Sequence, residues 1–396
     1  MELRRVYMDN SATTPVKEEV IAEMLDVLRN YHGNPSSIHK FGQDIKPVVE
    51  KSRQSVAKLI GAQSNEIYFT AGGSEADNWA IKGTAFALRE KGNHIITTKI
   101  EHHAVLHTCE YLEKFHGFEV TYLDVNDKGM ISLEQLKSSI RPTTILISVM
   151  FANNEIGTIQ PVKQIGEIAR EHKILFHTDA VQAVGNVEID VNEMKIDMLS
   201  LSGHKIYAPK GIGALYIKKG IRIHNLIHGG GQERKLRAGT ENTAGIAAIG
   251  KACELAFENL DNHIIRMTEL REKLISGVLE RIPHTIVTGD RENRLSTLAS
   301  FCFRFIEGEA LLLSLDMVGI AGSSGSACTS GALDPSHVLM ALGLTHEIAH
   351  GSLRLSLSDF TTDEDVEYVL EKLPVIVERL RSMSPLYEAF LKGENK

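Results

Sequence analysis

Hydrophobic and polar positions follow two rhythms along this chain. Through the first 250 residues, short apolar or β-branched runs fall at 66–70, 94–98, 119–123, 145–149, 174–178, 197–201 and 213–217. Stretches with helical spacing, such as 75–89, 104–115 and 162–172, fill most of the gaps. Strands alternating with helices predict a largely parallel sheet covered on both faces. The last two runs leave no room for a crossover helix, so an antiparallel connection is expected there. After about residue 240 the rhythm changes. A helical pattern runs from 243 to 282, its charged second half able to bridge two domains, and strand-like 297–304 and a helix over 309–318 follow. Small residues fill 321–330; then come a helix over 335–342, a strand at 352–357 and a helix over 363–383. On that last helix Val366, Val369, Leu370, Leu373, Ile376 and Leu380 share one face, and Pro374 is expected to kink it.

Composition narrows the picture. With 396 residues, 43% hydrophobic and 24% charged, the chain can bury two cores, which excludes a mostly disordered protein. Acidic residues outnumber basic ones by 51 to 43, against a nucleic-acid partner. Cys109, Cys253, Cys302 and Cys328 are far apart and form no Cys-x-x-Cys pair, so neither a disulfide framework nor a zinc ribbon is suggested. The first residues reach Asp9 too soon for an apolar signal segment, and no run approaches the roughly 20 apolar residues needed to span a bilayer. A soluble protein of the cytoplasm, with no membrane partner, is the expectation.

Several motifs could carry chemistry. In Thr70-Ala71-Gly72-Gly73-Ser74-Glu75 a strand enters a glycine turn that opens a helix, with Ser74 as N-cap or phosphate donor. Backbone N–H groups at such a turn suit an anion, and an ordinary capped helix fits equally. Asp179 ends an apolar strand, where charge needs a partner: a cationic ring nitrogen, a helix cap or a buried ion pair. Lys205 follows another strand end, flanked by Ser202, Gly203 and His204; it reads as a nucleophilic amine or a snorkelling lysine. Together, a phosphate cradle, a strand-end acid and a strand-end lysine are what pyridoxal phosphate requires. The stretch 321–331 has no apolar periodicity, so Cys328 is expected on an exposed, mobile loop and not in a core. His103 and His107 have the i, i+4 spacing of metal-binding helices but lack the glutamate of a His-Glu-x-x-His motif. Ring stacking on a planar cofactor is the other functional reading of this histidine cluster. Arg354, in an apolar strand, calls for a bidentate carboxylate, either a substrate's or a structural one.

With these residues in view, the chain resembles the NifS/IscS-type cysteine desulfurases almost end to end. The resemblance rests on Tyr7-Met8-Asp9-Asn10-Ser11-Ala12-Thr13-Thr14-Pro15, Gly33-Asn34-Pro35-Ser36-Ser37, Asn153-Asn154-Glu155-Ile156-Gly157 and Ser202-Gly203-His204-Lys205. Gly229-Gly230-Gly231-Gln232-Glu233-Arg234 and Ser323-Ser324-Gly325-Ser326-Ala327-Cys328-Thr329-Ser330 complete it in matching order. It implies an α/β, fold-type-I pyridoxal-phosphate-dependent transferase: a large domain, 15–255, with a mainly parallel seven-stranded sheet, and a smaller α+β domain from 1–14 and 256–396 carrying the Cys328 loop. The cofactor implied is pyridoxal 5'-phosphate, and the reaction converts L-cysteine to L-alanine with sulfur kept as a persulfide for iron–sulfur cluster assembly.

The resemblance also implies roles. Lys205 would be the Schiff-base lysine, Asp179 the partner of the pyridine nitrogen, Gln182 that of the ring hydroxyl, and His102 the stacking ring. Gly73, Ser74, Ser202 and His204 would hold the phosphate, with Gly203 and Asn154 completing the cofactor contacts and Thr240 reaching the phosphate of a second subunit in a homodimer. Asn34, Asn154 and Arg354 would bind the substrate carboxylate. Cys328 would take the sulfur, with an iron–sulfur scaffold protein of the IscU/NifU kind as acceptor and a transient iron–sulfur ligation through Cys328 as the metal role. The chain departs from the family pattern at Ala71-Gly72-Gly73-Ser74, at Ala208, and at Ser358-Asp359-Phe360, which lacks the usual basic residue. Its end at Gly393-Glu394-Asn395-Lys396 and the 330–337 stretch lean toward the NifS-like branch. Other readings of the same motifs are a selenocysteine lyase, an aminotransferase, or a non-enzymatic scaffold for sulfur or metal; dependence on Cys328 separates them.

Overall fold

The computed structural model describes residues 4–324 and 335–393; Cys328 lies outside them. Seven strands build the main sheet: β1 (Ile67–Thr70), β2 (His94–Thr98), β3 (Glu119–Leu123), β4 (Thr144–Ser148), β5 (Leu175–Asp179), β6 (Met198–Ser202) and β7 (Gly213–Ile217). Their spatial order is β1-β7-β6-β5-β4-β2-β3. The pairs are parallel except those made by β7, which runs antiparallel to both neighbours. That is the antiparallel connection the short spacing predicts. One consequence is that β1, β5 and β6 all end at the same edge.

Alternating side chains feed two cores. Ile96, Ile147, Leu199 and Ala214 join one apolar cluster, and their neighbours Ile95, Leu146, Met198 and Leu215 join another. Helices α1 (Glu18–Asn30), α2 (Lys40–Leu59), α5 (Val162–Glu171) and the first part of α6 (Thr243–Arg281) cover the first face; α3 (Gly73–Ala87) and α4 (His103–His116) cover the second. Period-two burial on both faces accounts for the apolar runs in the sequence.

A three-stranded antiparallel sheet, β8 (Thr285–Val287), β9 (Leu298–Phe303) and β10 (Ser352–Ser356), has its own core. Its cover includes α7 (Gly308–Asp316), and two further helices in this part are α8 (His337–Ala341) and α9 (Asp363–Ser382). Along α6, Ala244–Cys253 supply residues to the first core, whereas Met267, Leu270, Leu274 and Val278 enter the small-sheet core. The helix as a whole, with its first part in one core and its second half in the other, links the two clusters.

The helix α9 runs through Pro374 without interruption. Proline gives no N–H to the carbonyl four residues back; Arg281 Nη1 donates to that Leu370 carbonyl instead, at 2.8 Å. Asp359, where the resemblance leads one to expect a basic residue, accepts from His263 Nδ1 at 2.6 Å and pairs with Lys17. Burial alone would raise its carboxyl, but these partners hold it at about 2. Among the described residues no helix is long and apolar enough to cross a membrane.

Candidate functional site

The shared edge of β1, β5 and β6 is where the sequence-derived site residues meet. Thr70 and Ser202 both pair with Gly213, so the ends of β1 and β6 flank the start of β7. A side chain at Gly213 would lie 2.7 Å from Gly72 Cα and from the Leu201 carbonyl, so only glycine lets the turn close on the sheet. Gly72 itself adopts φ +154°, and a Cβ at Gly73 would meet Val181 at 2.7 Å. Ser74, expected as the N-cap, stands inside α3; the cap is Gly72, which has no side chain to offer. Glycine there leaves the first-turn N–H groups without a side-chain acceptor, close to the Ser202 hydroxyl.

Lys205 closes a short 3₁₀ turn, Gly203–Lys205, directly after β6. Its Nζ donates to the carbonyls of Ser11 at 2.5 Å and Ala12 at 2.7 Å. Gln182 Nε2 donates to the same Ser11 carbonyl at 3.0 Å. His204 Nδ1 lies 3.2 Å from the Thr13 hydroxyl, and the Thr14 N–H donates to the His204 carbonyl at 3.0 Å. The 11–14 segment thus wraps the lysine turn and fixes its aim. Its carbonyls hold the amine as a donor.

Asp179, His102 and Asp77 form a compact group, with one ligand atom from each within 4.8 Å of the others. His102 is the N-cap of α4, its Nδ1 accepting from the Ala104 N–H at 3.1 Å, which leaves the proton on Nε2. Burial pushes the His102 imidazole down; the Asp179 charge opposes this, while Lys205 and His107 add to it. Burial pushes Asp179 up, and His102, the Val181 N–H and Lys205 act against it. A carboxylate in this position is stabilised by any cation placed over it.

The sequence reading missed a buried polar layer beneath these residues. His177 lies between the hydroxyls of Ser148, at 2.9 Å, and Ser200, at 3.0 Å, and burial drives its imidazole down to about 3, so it is neutral. Asp77 is driven up by burial first and by the Asp179 charge second. Glu101 accepts from the Thr98 hydroxyl at 2.7 Å and the Met150 N–H at 2.9 Å, yet burial still raises its carboxyl to about 8. Asp77 Oδ1 and Glu101 Oε2 have no hydrogen-bond partner among the described residues. The Glu-His pair and the acid one turn into α3 were the only signals in the sequence, and neither distinguishes burial from exposure.

The raised Glu101 carboxyl has a sign that can be checked. Between its ordinary 4.5 and about 8 the folded chain keeps a proton that the unfolded chain has released, so stability falls as pH rises through that window. Glu101→Gln removes the titration. The variant's apoprotein is expected to gain on the wild-type apoprotein in thermal unfolding as pH goes from 5 to 8, with a Tm advantage of about 2–4 °C at the upper end. A gap independent of pH would refute the protonated carboxyl.

The remaining site residues are placed as follows. Arg354, 5% exposed on β10, donates to Asp9 Oδ1 and to the Asn154 carbonyl, both at 2.9 Å. Both Nη atoms are thus engaged within the chain, while the buried Nε has no hydrogen-bond partner among the described residues, and Asp9 is a partner the sequence did not reveal. Asn34, half-buried, accepts from the Ser36 N–H at 2.9 Å through Oδ1. Thr240 is exposed, just before α6.

Comparison with known proteins follows from this geometry. The family model described as aminotransferase class-V matches residues 6–369. The chain belongs to the class-V aminotransferase family. Its relatives include the cysteine desulfurase IscS of Clostridium botulinum (strain Hall), 58% identical over 395 residues that cover 99% of both chains. A solved structure titled a NifS-like protein superposes with a TM-score of 0.90 at 40% identity, covering 95% of this chain and 100% of that one. Another, SspA in complex with cysteine, gives 0.79 at 40% identity over 90% and 99%. The family is pyridoxal-phosphate dependent, and its fold is the mixed α/β architecture described above. The residues fit that cofactor. The uncapped first turn of α3 beside Ser202 suits a phosphate. The buried carboxyl of Asp179, raised in the absence of a cation, suits a protonated pyridine nitrogen.

Proposed function

We propose that this chain is a pyridoxal-phosphate-dependent cysteine desulfurase, converting L-cysteine to L-alanine and keeping the sulfur on Cys328 as a persulfide. The observation that carries the reading is the convergence of Asp179, His102 and Lys205 at one strand edge, beside a glycine turn that can receive a phosphate. The name and full-length similarity of the botulinum relative support it.

Bound there, the cofactor supplies an electron sink for charge developing at the substrate Cα. Gly73, Ser74, Ser202 and His204 would hold its phosphate, Gly203 and Asn154 would complete its contacts, Asp179 would meet its ring nitrogen, Gln182 its hydroxyl and His102 its ring. Lys205 Nζ would be its covalent anchor and the base that moves the Cα proton. Arg354, with Asn34 and Asn154, takes the substrate carboxylate, which replaces Asp9 as the guanidinium's anion. The Cys328 thiolate attacks the substrate sulfur: the S–S bond forms as C–S breaks, and the electron pair stays with the carbon that leaves as alanine. A homodimer in which Thr240 reaches the second copy's phosphate, a cytoplasmic setting, and an iron–sulfur scaffold as acceptor belong to the same reading. So does the division into 15–255 and 1–14 with 256–396, supported by the small-sheet core, whose residues all come from 1–14 and 256–396, although Leu295 and Leu298 join the first core.

Mass spectrometry after cysteine treatment tests it. The peptide containing Cys328 should gain one sulfur atom, and Cys328→Ser should keep the yellow cofactor colour while releasing no alanine. Added sulfur on another cysteine, or undiminished alanine release from the variant, would overturn the assignment.

A further inference from the structure

The histidines at the start of α4 are not all used by the chemistry above. His103 and His107 have ring centroids 4.8 Å apart, tilted by 30°, and His337, the first residue of α8, places its ring 4.8 Å from His103 as well. Three imidazoles from two helices are therefore in contact, with His103 in the middle. The neighbouring His102 ring is 6.4 Å from His103 and belongs to the cofactor side.

Two details set this cluster apart from a stack of packed rings. His337 Nε2 lies 3.0 Å from the Glu101 carbonyl, which can only accept, so the proton is on Nε2 and Nδ1 keeps a lone pair. A ring nitrogen donated to a backbone carbonyl is the arrangement that orients metal-ligating histidines. His103 Nδ1 is buried and has no hydrogen-bond partner among the described residues. An orphan ring nitrogen in a polar cluster asks for a ligand.

We propose that His103, His107 and His337 form a site for a divalent cation of the zinc class, three imidazole nitrogens with a water as fourth ligand. Imidazole selects zinc, nickel or copper over magnesium or calcium. Among the described residues the donor group already drawn within 4.8 Å is Asp77, His102 and Asp179, which lies in the cofactor pocket. The outer trio is more open, and a cation would close it chiefly by rotating His107, which stands exposed on α4. Occupancy would tie α8 to α4. The site is independent of the reaction assigned above: it stands on three side chains outside the cofactor's contacts.

The test uses holoenzyme carrying Cys328→Ser, so that no candidate sulfur nucleophile competes for metal and the cofactor occupies its pocket. After equilibrium dialysis against zinc, elemental analysis should find about one zinc per chain, with magnesium not retained. Adding His107→Ala or His337→Ala should weaken zinc binding at least about tenfold, while the cofactor band is unchanged. His107 is exposed, so that variant tests the site even if His337→Ala folds poorly. Zinc absent from the Cys328→Ser holoenzyme, or bound equally well by the His107→Ala form, would overturn the proposal, whatever the outcome for desulfurase activity.

Discussion

Lys205→Ala is expected to abolish covalent attachment of the cofactor and to lower kcat on L-cysteine by roughly 10⁴-fold or more, the scale seen when a covalent catalyst's nucleophile is removed. Lys205 is the amine that its turn offers. Its amine is aimed by the Ser11 and Ala12 carbonyls, and no other lysine stands in the turn after β6. The turn itself is held by backbone contacts from Thr14 and by the 3₁₀ geometry of Gly203–Lys205, so truncating the side chain leaves the fold intact. Borohydride reduction followed by denaturing gel filtration provides the check. Reduction turns a Schiff base into a stable secondary amine, so treated wild type should keep the chromophore through denaturation, whereas the variant treated alike should lose it. Cofactor that stays covalently bound to Lys205→Ala would remove the basis of the site.

The second large effect belongs to Asp179→Asn. The amide oxygen can still accept from the Val181 N–H, now 2.9 Å from Asp179 Oδ1, so the local fold survives. What disappears is the negative charge. Losing the partner of a buried cation costs about 3–5 kcal/mol, which predicts kcat lower by roughly 10²- to 10⁴-fold. Two opposite signs distinguish this from general damage. Burial raises the Asp179 carboxyl, so the unloaded protein should become more stable on substitution, most clearly at high pH. The loaded enzyme should lose activity. Steady-state kinetics and thermal unfolding with and without cofactor measure both. Activity within tenfold of wild type, or destabilised apoprotein, would contradict the charge pairing.

Much of the architecture was legible because burial on both faces of a sheet writes continuous apolar runs, and the strands found lie within a residue or two of those runs. Asp179 and Lys205 stood out because charge at the end of such a run is costly. The elements that escaped notice depend on partners remote in sequence. The Val6–Tyr7 strand is two residues long and pairs in parallel with Ile320–Ala321; no local periodicity announces that. Asp9 meets Arg354 only across the fold. Asp77, Glu101 and His177 are polar residues in otherwise ordinary helix, loop and strand contexts, and their burial comes from layers stacked over them. Ser74 reads as a cap by residue type, yet the cap falls two positions earlier, at Gly72. Pro374 reads as a kink, but Arg281 supplies the missing donor from another helix.

The threading of the first residues has a consequence for biosynthesis. The Met8 N–H bonds to the Ala321 carbonyl, the Met8 carbonyl accepts from the Ser356 N–H, and the Ser11 N–H bonds to the Ser356 hydroxyl. Folding on the ribosome proceeds from the N-terminus, yet the carbonyls that steer Lys205 are positioned by residues translated near the end. The pocket is thus assembled in its final form only once the last strand of the small sheet has emerged, and nascent chains shorter than that should capture no cofactor.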